Sequence, residues 1–182
     1  MKLKVSDIPT DGLELTAALS SDPWLRGVVR ESFQKEPGDK DEALVDLLIE
    51  KTCDNVRLRG VASLDLEREC DRCLTAFCYH SSVPIEMTLT PLPDSEGDGP
   101  ECLTAEDENF AFYREEKIDL SDIVREALVL SIPIRFLCSE TCKGLCPRCR
   151  VNLNLRECEC DTQSGNSHFA ALKKFQFKKT TD

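Results

Sequence analysis

Histidine is nearly absent from this 182-residue chain: there are two, His80 and His168, and each stands alone. A catalytic zinc centre usually draws on imidazole and carboxylate ligands around an open position, so that class is disfavoured and both histidines read as structural or surface residues. No paired carboxylates, glycine-rich phosphate loop or Ser-His-Asp set is visible, and nothing in the sequence speaks for an enzyme or a small-molecule substrate. No window approaches 18 uninterrupted apolar residues, so no membrane span is expected. The opening stretch MKLKVSDIPTDGLEL lacks the apolar region of a secretory signal. The expectation is a cytoplasmic protein with reduced thiols. There is no internal repeat.

What is abundant is acid and cysteine. The formal charge is -11, and 41% of residues are hydrophobic, enough for a real core. An acidic surface repels nucleic acid and anionic membranes at long range. The charge is uneven, however. From Cys142 onward eight Lys and Arg face four Asp and Glu, so any basic surface belongs to that end. Eleven cysteines are a strong departure from the norm for a reduced compartment, where clustered cysteines point to metal or redox chemistry.

The pattern before that end predicts an α+β fold. KLKVSDIP suits a short opening strand, and Pro23 opens a helix carrying Trp24, Leu25, Val28, Val29 and Phe33. Val56, Leu58, Ala62, Leu64 and Leu66 sit two or four apart, the period of a half-buried strand. Cys53 to Asn55 would turn the chain between that strand and the run Ala43–Ile49, for which a helix is the alternative. ECDRCLTAFCYH reverses the chain into a strand through Val83, Ile85, Met87 and Leu89. An acidic loop covers about 91–109, and Phe110 and Phe112 suit a short strand. Ser121 or Asp119 caps a helix bearing Ile123, Val124, Ala127, Leu128 and Leu130, which Pro133 ends. Phe169, Leu172 and Phe175 fit a short C-terminal helix. The expected architecture is a mostly antiparallel sheet with packing helices over 1–135. A small zinc-ribbon or knuckle-like appendage with a short helix and tail follows over 136–182.

The appendage carries the chemistry. Cys146 and Cys149 form C-P-R-C, whose two-residue gap lets both sulfurs meet one ion while the turn's N–H groups face them. Tetrahedral Zn²⁺ needs four ligands. Cys158 and Cys160 complete the favoured set, because RVNLNLRE between the pairs can form a small hairpin. C-x-C is tight for two bonds to one ion, so Cys142 or Cys138 competes for a position. Cys70 and Cys73 form a second C-x-x-C, which is half of another zinc site, a partner of the C-terminal cluster across space, or a metal-free turn. Zinc here would be structural. Disulfide or redox chemistry is the alternative. Cys53, Cys78 and Cys102 lack partners at ligand spacing and read as free thiols.

Three segments in order carry a resemblance: ECDRCL at 69–74, IDLSDIVREALVLSIP at 118–133, and CSETCKGLCPRCRVNLNLRECEC at 138–160. Together they resemble the bacterial and plastid YceD-like family of large ribosomal RNA subunit accumulation proteins, over about residues 44–175. Arg150 departs from the pattern, since the family usually has glycine there. The resemblance implies a non-enzymatic part in accumulation or processing of large-subunit (23S) ribosomal RNA. The basic residues Lys143, Arg148, Arg150, Arg156, Lys173 and Lys174 around the cysteines could track RNA phosphates. The acidic remainder could dock a basic ribosomal protein instead. A zinc-stabilised adaptor or regulator unrelated to ribosomes, and a thiol-disulfide redox protein, are the competing functions.

Overall fold

Period-two alternation sets the main sheet. The computed structural model describes residues 1–92 and 109–160, and places in them seven strands and two α-helices. Strands β2 (Leu13–Ala18), β3 (Glu42–Thr52), β4 (Asn55–Glu69), β5 (Ala76–Pro91) and β6 (Phe110–Tyr113) form one sheet in that order. β2 with β3 and β3 with β4 are antiparallel, whereas β5 and β6 run parallel. A two-stranded ribbon joins β1 (Lys2–Lys4) to β7 (Lys117–Asp119), antiparallel. The run Ala43–Ile49 is therefore strand, not helix: alternate residues Ala43, Val45, Leu47 and Ile49 are buried, which a helical period would scatter around an axis. Cys53 and Asp54 make the tight turn to β4, with Cys53 at φ 54°.

By internal contacts the chain forms two units. The first comprises Met1–Arg68 and Phe77–Ile134; the second comprises Glu69–Ala76 with the segment from Arg135 onward. In the first unit one sheet face is apolar. Val45, Leu47 and Ile49 of β3, Val56, Leu58, Leu64 and Leu66 of β4, and Ile85 and Leu89 of β5 share a core with helices α1 (Pro23–Phe33) and α2 (Leu120–Ser131). The helices pack against each other through faces that bury Leu25, Val28 and Val29, and Leu120, Ile123, Val124 and Leu128. Burying a side chain of this kind contributes roughly 1.5–3 kcal/mol. Arg68 lies with its guanidinium 4.9 Å from the Phe33 ring centre.

Local chemistry marks the ends. Pro23 occupies the first turn of α1, where its missing N–H costs nothing, and Gln34 closes the helix in the left-handed region at φ 50°. Asp119 caps α2 by accepting from the Ser121 N–H at 3.1 Å. α2 ends at Ser131, and Pro133 stands just beyond its extended cap Ile132. Gly60 is required by a close approach. A Cβ there would lie 1.9 Å from the Asp46 carbonyl oxygen of β3, so no side chain fits at that crossing. The acidic stretch over 93–108 and the C-terminal segment carrying Phe169, Leu172 and Phe175 lie outside the described residues.

Candidate metal centre

Among its described residues the second unit has no apolar core of its own: its buried side chains are those of Cys70, Cys73, Cys142 and Cys146. It is built on two turns with one pattern. In the first, Cys70-Asp71-Arg72-Cys73-Leu74, the Leu74 N–H donates to the Cys70 carbonyl at 2.8 Å, and the Cys70 N–H donates to the Thr75 carbonyl at 3.0 Å. In the second, Cys146-Pro147-Arg148-Cys149-Arg150, the Arg150 N–H donates to the Cys146 carbonyl at 2.9 Å, and the Cys146 N–H to the Val151 carbonyl at 2.9 Å. The residue after each second cysteine is left-handed, Leu74 and Arg150 both at φ 58°. Glycine would take this backbone at position 150 without strain, whereas an L-residue with a Cβ is strained there.

The sulfurs gather in two groups of four. Cys70, Cys73, Cys138 and Cys142 converge in one, and Cys146, Cys149, Cys158 and Cys160 in the other, with all Sγ atoms of a group within 4.8 Å of one another. Cys138 and Cys142, expected as competitors for the second group, instead complete the first with the C-x-x-C at 70–73. Cys70 Sγ lies 3.7 Å from Cys142 Sγ, and Cys73 Sγ lies 3.6 Å from Cys138 Sγ. Four sulfurs about 2.3 Å from a tetrahedral ion are separated by about 3.8 Å, whereas a disulfide bond is about 2.05 Å. The spacing fits a four-sulfur metal site and not a cystine.

The surroundings favour thiolates at Cys70 and Cys73 in the first group and at Cys146 in the second. Burial pushes the Cys70 thiol up, but N–H groups of Cys138, Arg72 and Cys73 outweigh it and hold it at about 6. The Cys149 and Arg148 N–H groups bring Cys146 to about 6 as well. Other sulfurs in the groups move the opposite way. Cys138, hydrogen-bonded to Cys73 and desolvated, is pushed up to about 12. Cys160, facing Cys149 and then desolvated, is likewise pushed up to about 12. Four thiolates cannot share so small a volume without a cation between them. A divalent ion removes that conflict, so both donor sets suit a thiophilic metal.

Two asparagines tie the turns together. Asn154 accepts from the Lys143 N–H at 2.8 Å and points Nδ2 at Cys142 Sγ, 3.3 Å away. Asn152 Nδ2 donates to Thr75 Oγ1 at 3.1 Å, and Leu145 pairs with Asn152 across the small hairpin. Gly144 at φ 74° passes beside the Arg72 carbonyl, where a Cβ would come within 3.0 Å of the oxygen. The N-L-N stretch thus does more than turn the chain. Lys143, Arg148, Arg150 and Arg156 are exposed in this unit, together with Arg72 and Arg135. Lys173 and Lys174 lie outside the described residues.

The family model described as Large ribosomal RNA subunit accumulation protein YceD matches residues 58–176. The chain belongs to the YceD family. It is 32% identical over 110 residues to uncharacterized proteins of Mycobacterium bovis and Mycobacterium tuberculosis, an alignment covering 60% of this chain and 50% of theirs. The chain thus spans about half the length of these curated relatives. A protein of Arabidopsis thaliana named Large ribosomal RNA subunit accumulation protein YCED homolog 1, chloroplastic, is 35% identical over 57 residues, 31% of this chain and 18% of that protein. No solved structure matches. Among the described residues no helix is long and apolar enough to cross a membrane.

Proposed function

We propose that this member of the YceD family is a non-enzymatic cytoplasmic factor that supports accumulation of large-subunit ribosomal RNA, and that its second unit is an RNA-contacting module held by two structural zinc ions. The observation that carries this reading is the double four-cysteine arrangement on paired turns, with exposed arginines and a lysine between them. The arrangement is closed, four sulfurs to a site, which is the form of a structural zinc and leaves no position for substrate. The ions take the place of an apolar core and fix where the basic side chains stand. The role in ribosomal RNA rests on the family and on the printed name of the Arabidopsis relative.

Lys143, Arg148, Arg150 and Arg156 are the side chains assigned to phosphate contact, a mode whose strength falls steeply with salt. Their net effect is modest, since the described second unit carries six Lys and Arg against five Asp and Glu. Specific RNA shape rather than bulk charge then selects the target. Two measurements test the proposal. Zinc analysis of the purified chain, after dialysis to remove loosely held metal, is expected to find two ions per chain. Ribosome profiles of a strain lacking the protein are expected to show depleted large subunits, restored by the natural sequence and not by a Cys70→Ser, Cys142→Ser variant. Normal large-subunit levels in the deletion strain would sink the ribosomal reading. Binding to large-subunit RNA at low and high salt tests the contact surface. Salt-sensitive capture of a basic ribosomal protein, with none of RNA, would move the contact to the acidic surface of the chain.

A further inference from the structure

Among the described residues, one more set of metal-ligating side chains converges outside the two tetrads, and it lies in the first unit. Asp65 on β4 and Cys78 and His80 on β5 bring a carboxylate oxygen, a thiol sulfur and an imidazole nitrogen within 4.8 Å of one another. β4 and β5 are neighbours in the sheet. Cys78 and His80 are two apart on one strand, so their side chains leave the same face. All three stand on the face opposite the apolar core, with the His80 side chain 73% exposed and that of Asp65 50% exposed.

We propose that Asp65, Cys78 and His80 form a third metal site, for a borderline divalent transition-metal ion such as zinc or cobalt, with a fourth position left to water. Three features support it. The first is rigidity: the ligands sit on the paired strands β4 and β5, at the end of the sheet where β3 begins, and not on a loop. The second is that His80 Nδ1 already meets Asp65 Oδ1. Two acceptors brought together can share one proton, and a cation replaces that proton once the two atoms part to about 3.3 Å, the edge of a tetrahedral N/O site. The third is the field. A hollow of about 460 Å³ beside the cluster is lined by Asp39, Asp41, Glu42 and Asp65, and Glu42 stands directly opposite Asp65 in the ladder. Acidic walls concentrate cations at such an opening.

The donor set suits the class of metal. One thiolate and one imidazole exclude magnesium and calcium, which take oxygen ligands, and favour zinc or cobalt. Three protein ligands with an open position differ from the closed four-sulfur sites of the second unit. Binding would release the Cys78 thiol proton and the proton shared by His80 and Asp65 to solvent. The open position would hold exchangeable water, so the site would load and unload readily.

The test uses the full chain as purified, titrated with Co²⁺. The natural sequence is expected to take up one equivalent more than the Cys78→Ser, His80→Ala variant, with a sulfur-to-cobalt charge-transfer band in the difference. Equal uptake by the two would overturn the proposal. The comparison holds whether or not the tetrads carry zinc, so its outcome is separate from that of the proposed function. A second readout guards against a misfolded variant. In a His168→Ala chain the remaining imidazole, that of His80, should show a paramagnetic shift on adding one equivalent of cobalt beyond the tetrads. An unshifted imidazole resonance would equally overturn the site.

Discussion

The two cysteine tetrads begin on the same five-residue turn, with matched hydrogen bonds and matched left-handed residues, yet they close in different ways. The second is local: Cys146 to Cys160 lie within one short segment. The first joins sulfurs 65 and 72 positions apart, Cys73 with Cys138 and Cys70 with Cys142. It is also the more enclosed, with Cys70, Cys73 and Cys142 buried, whereas only Cys146 is buried in the second. Identical turns therefore do different work. One stiffens a hairpin, and the other pins the segment beginning at Arg135 to the turn that follows β4. Closing a long loop removes more chain entropy than closing a short one, so the first ion should matter more to folding.

Acid should affect both tetrads and erase the difference. Cys70 and Cys146 are lowered from 9.0 to about 6. For thiols with depressed values, the stabilisation is fully present above the ordinary value and is lost as pH falls through the folded one. Protons compete with the metal for the same kind of sulfur in both sites, so both should release it together as pH falls. A zinc-responsive dye followed through a pH drop should show one transition; two well-separated steps would break the equivalence of the turns.

Removing one ligand pair should separate the tetrads. Cys70→Ser with Cys142→Ser is expected to lose one zinc and to open the second unit. Amide exchange at Asp71 and Leu145, which donate to Phe136 and Arg72, should then become fast. Cys146→Ser with Cys149→Ser is also expected to lose one zinc, but to leave the Asp71 amide protected, because the first tetrad closes without that hairpin. Protection lost equally in both variants would contradict the ranking.

The asparagine link gives a finer comparison. Asn154 belongs to the hairpin of the second tetrad but directs its amide at Cys142 of the first. Asn154→Ala should weaken zinc retention at the first tetrad by about tenfold or more, the usual cost of losing an outer partner, measured as chelator-driven release. The smallest expected effect is backbone strain. Arg150→Gly and Leu74→Gly should each stabilise the unit by about 1 kcal/mol, since both residues are left-handed. Thermal melting of the metal-loaded chain would show it, and opposite signs would mean the two turns are not equivalent.

Much of this was legible locally. Alternation at Val56, Leu58, Leu64 and Leu66 marked β4, Asp119 and Pro133 bracketed α2, and C-P-R-C marked the second turn. Ala43–Ile49 was ambiguous because a short apolar run reads alike in strand and helix until a partner strand imposes its period. The third cluster was hidden for a similar reason. Cys78 and His80 look solitary until the ladder sets Asp65 beside them, and cross-strand neighbours have no fixed spacing in sequence.

The amino-acid sequence by itself determined the turns, because C-x-x-C geometry, capping and strand period act within a few residues. It also carried the family, through three ordered segments. Which sulfurs share an ion was decided only in three dimensions. Cys138 and Cys142 stand close to Cys146 in sequence and far from Cys70, yet they join Cys70 and Cys73, where Asp71 and Phe136 hydrogen-bond the two segments together. Ligand choice follows the backbone that brings sulfurs within a tetrahedral edge of each other, and that backbone is set by contacts between distant segments.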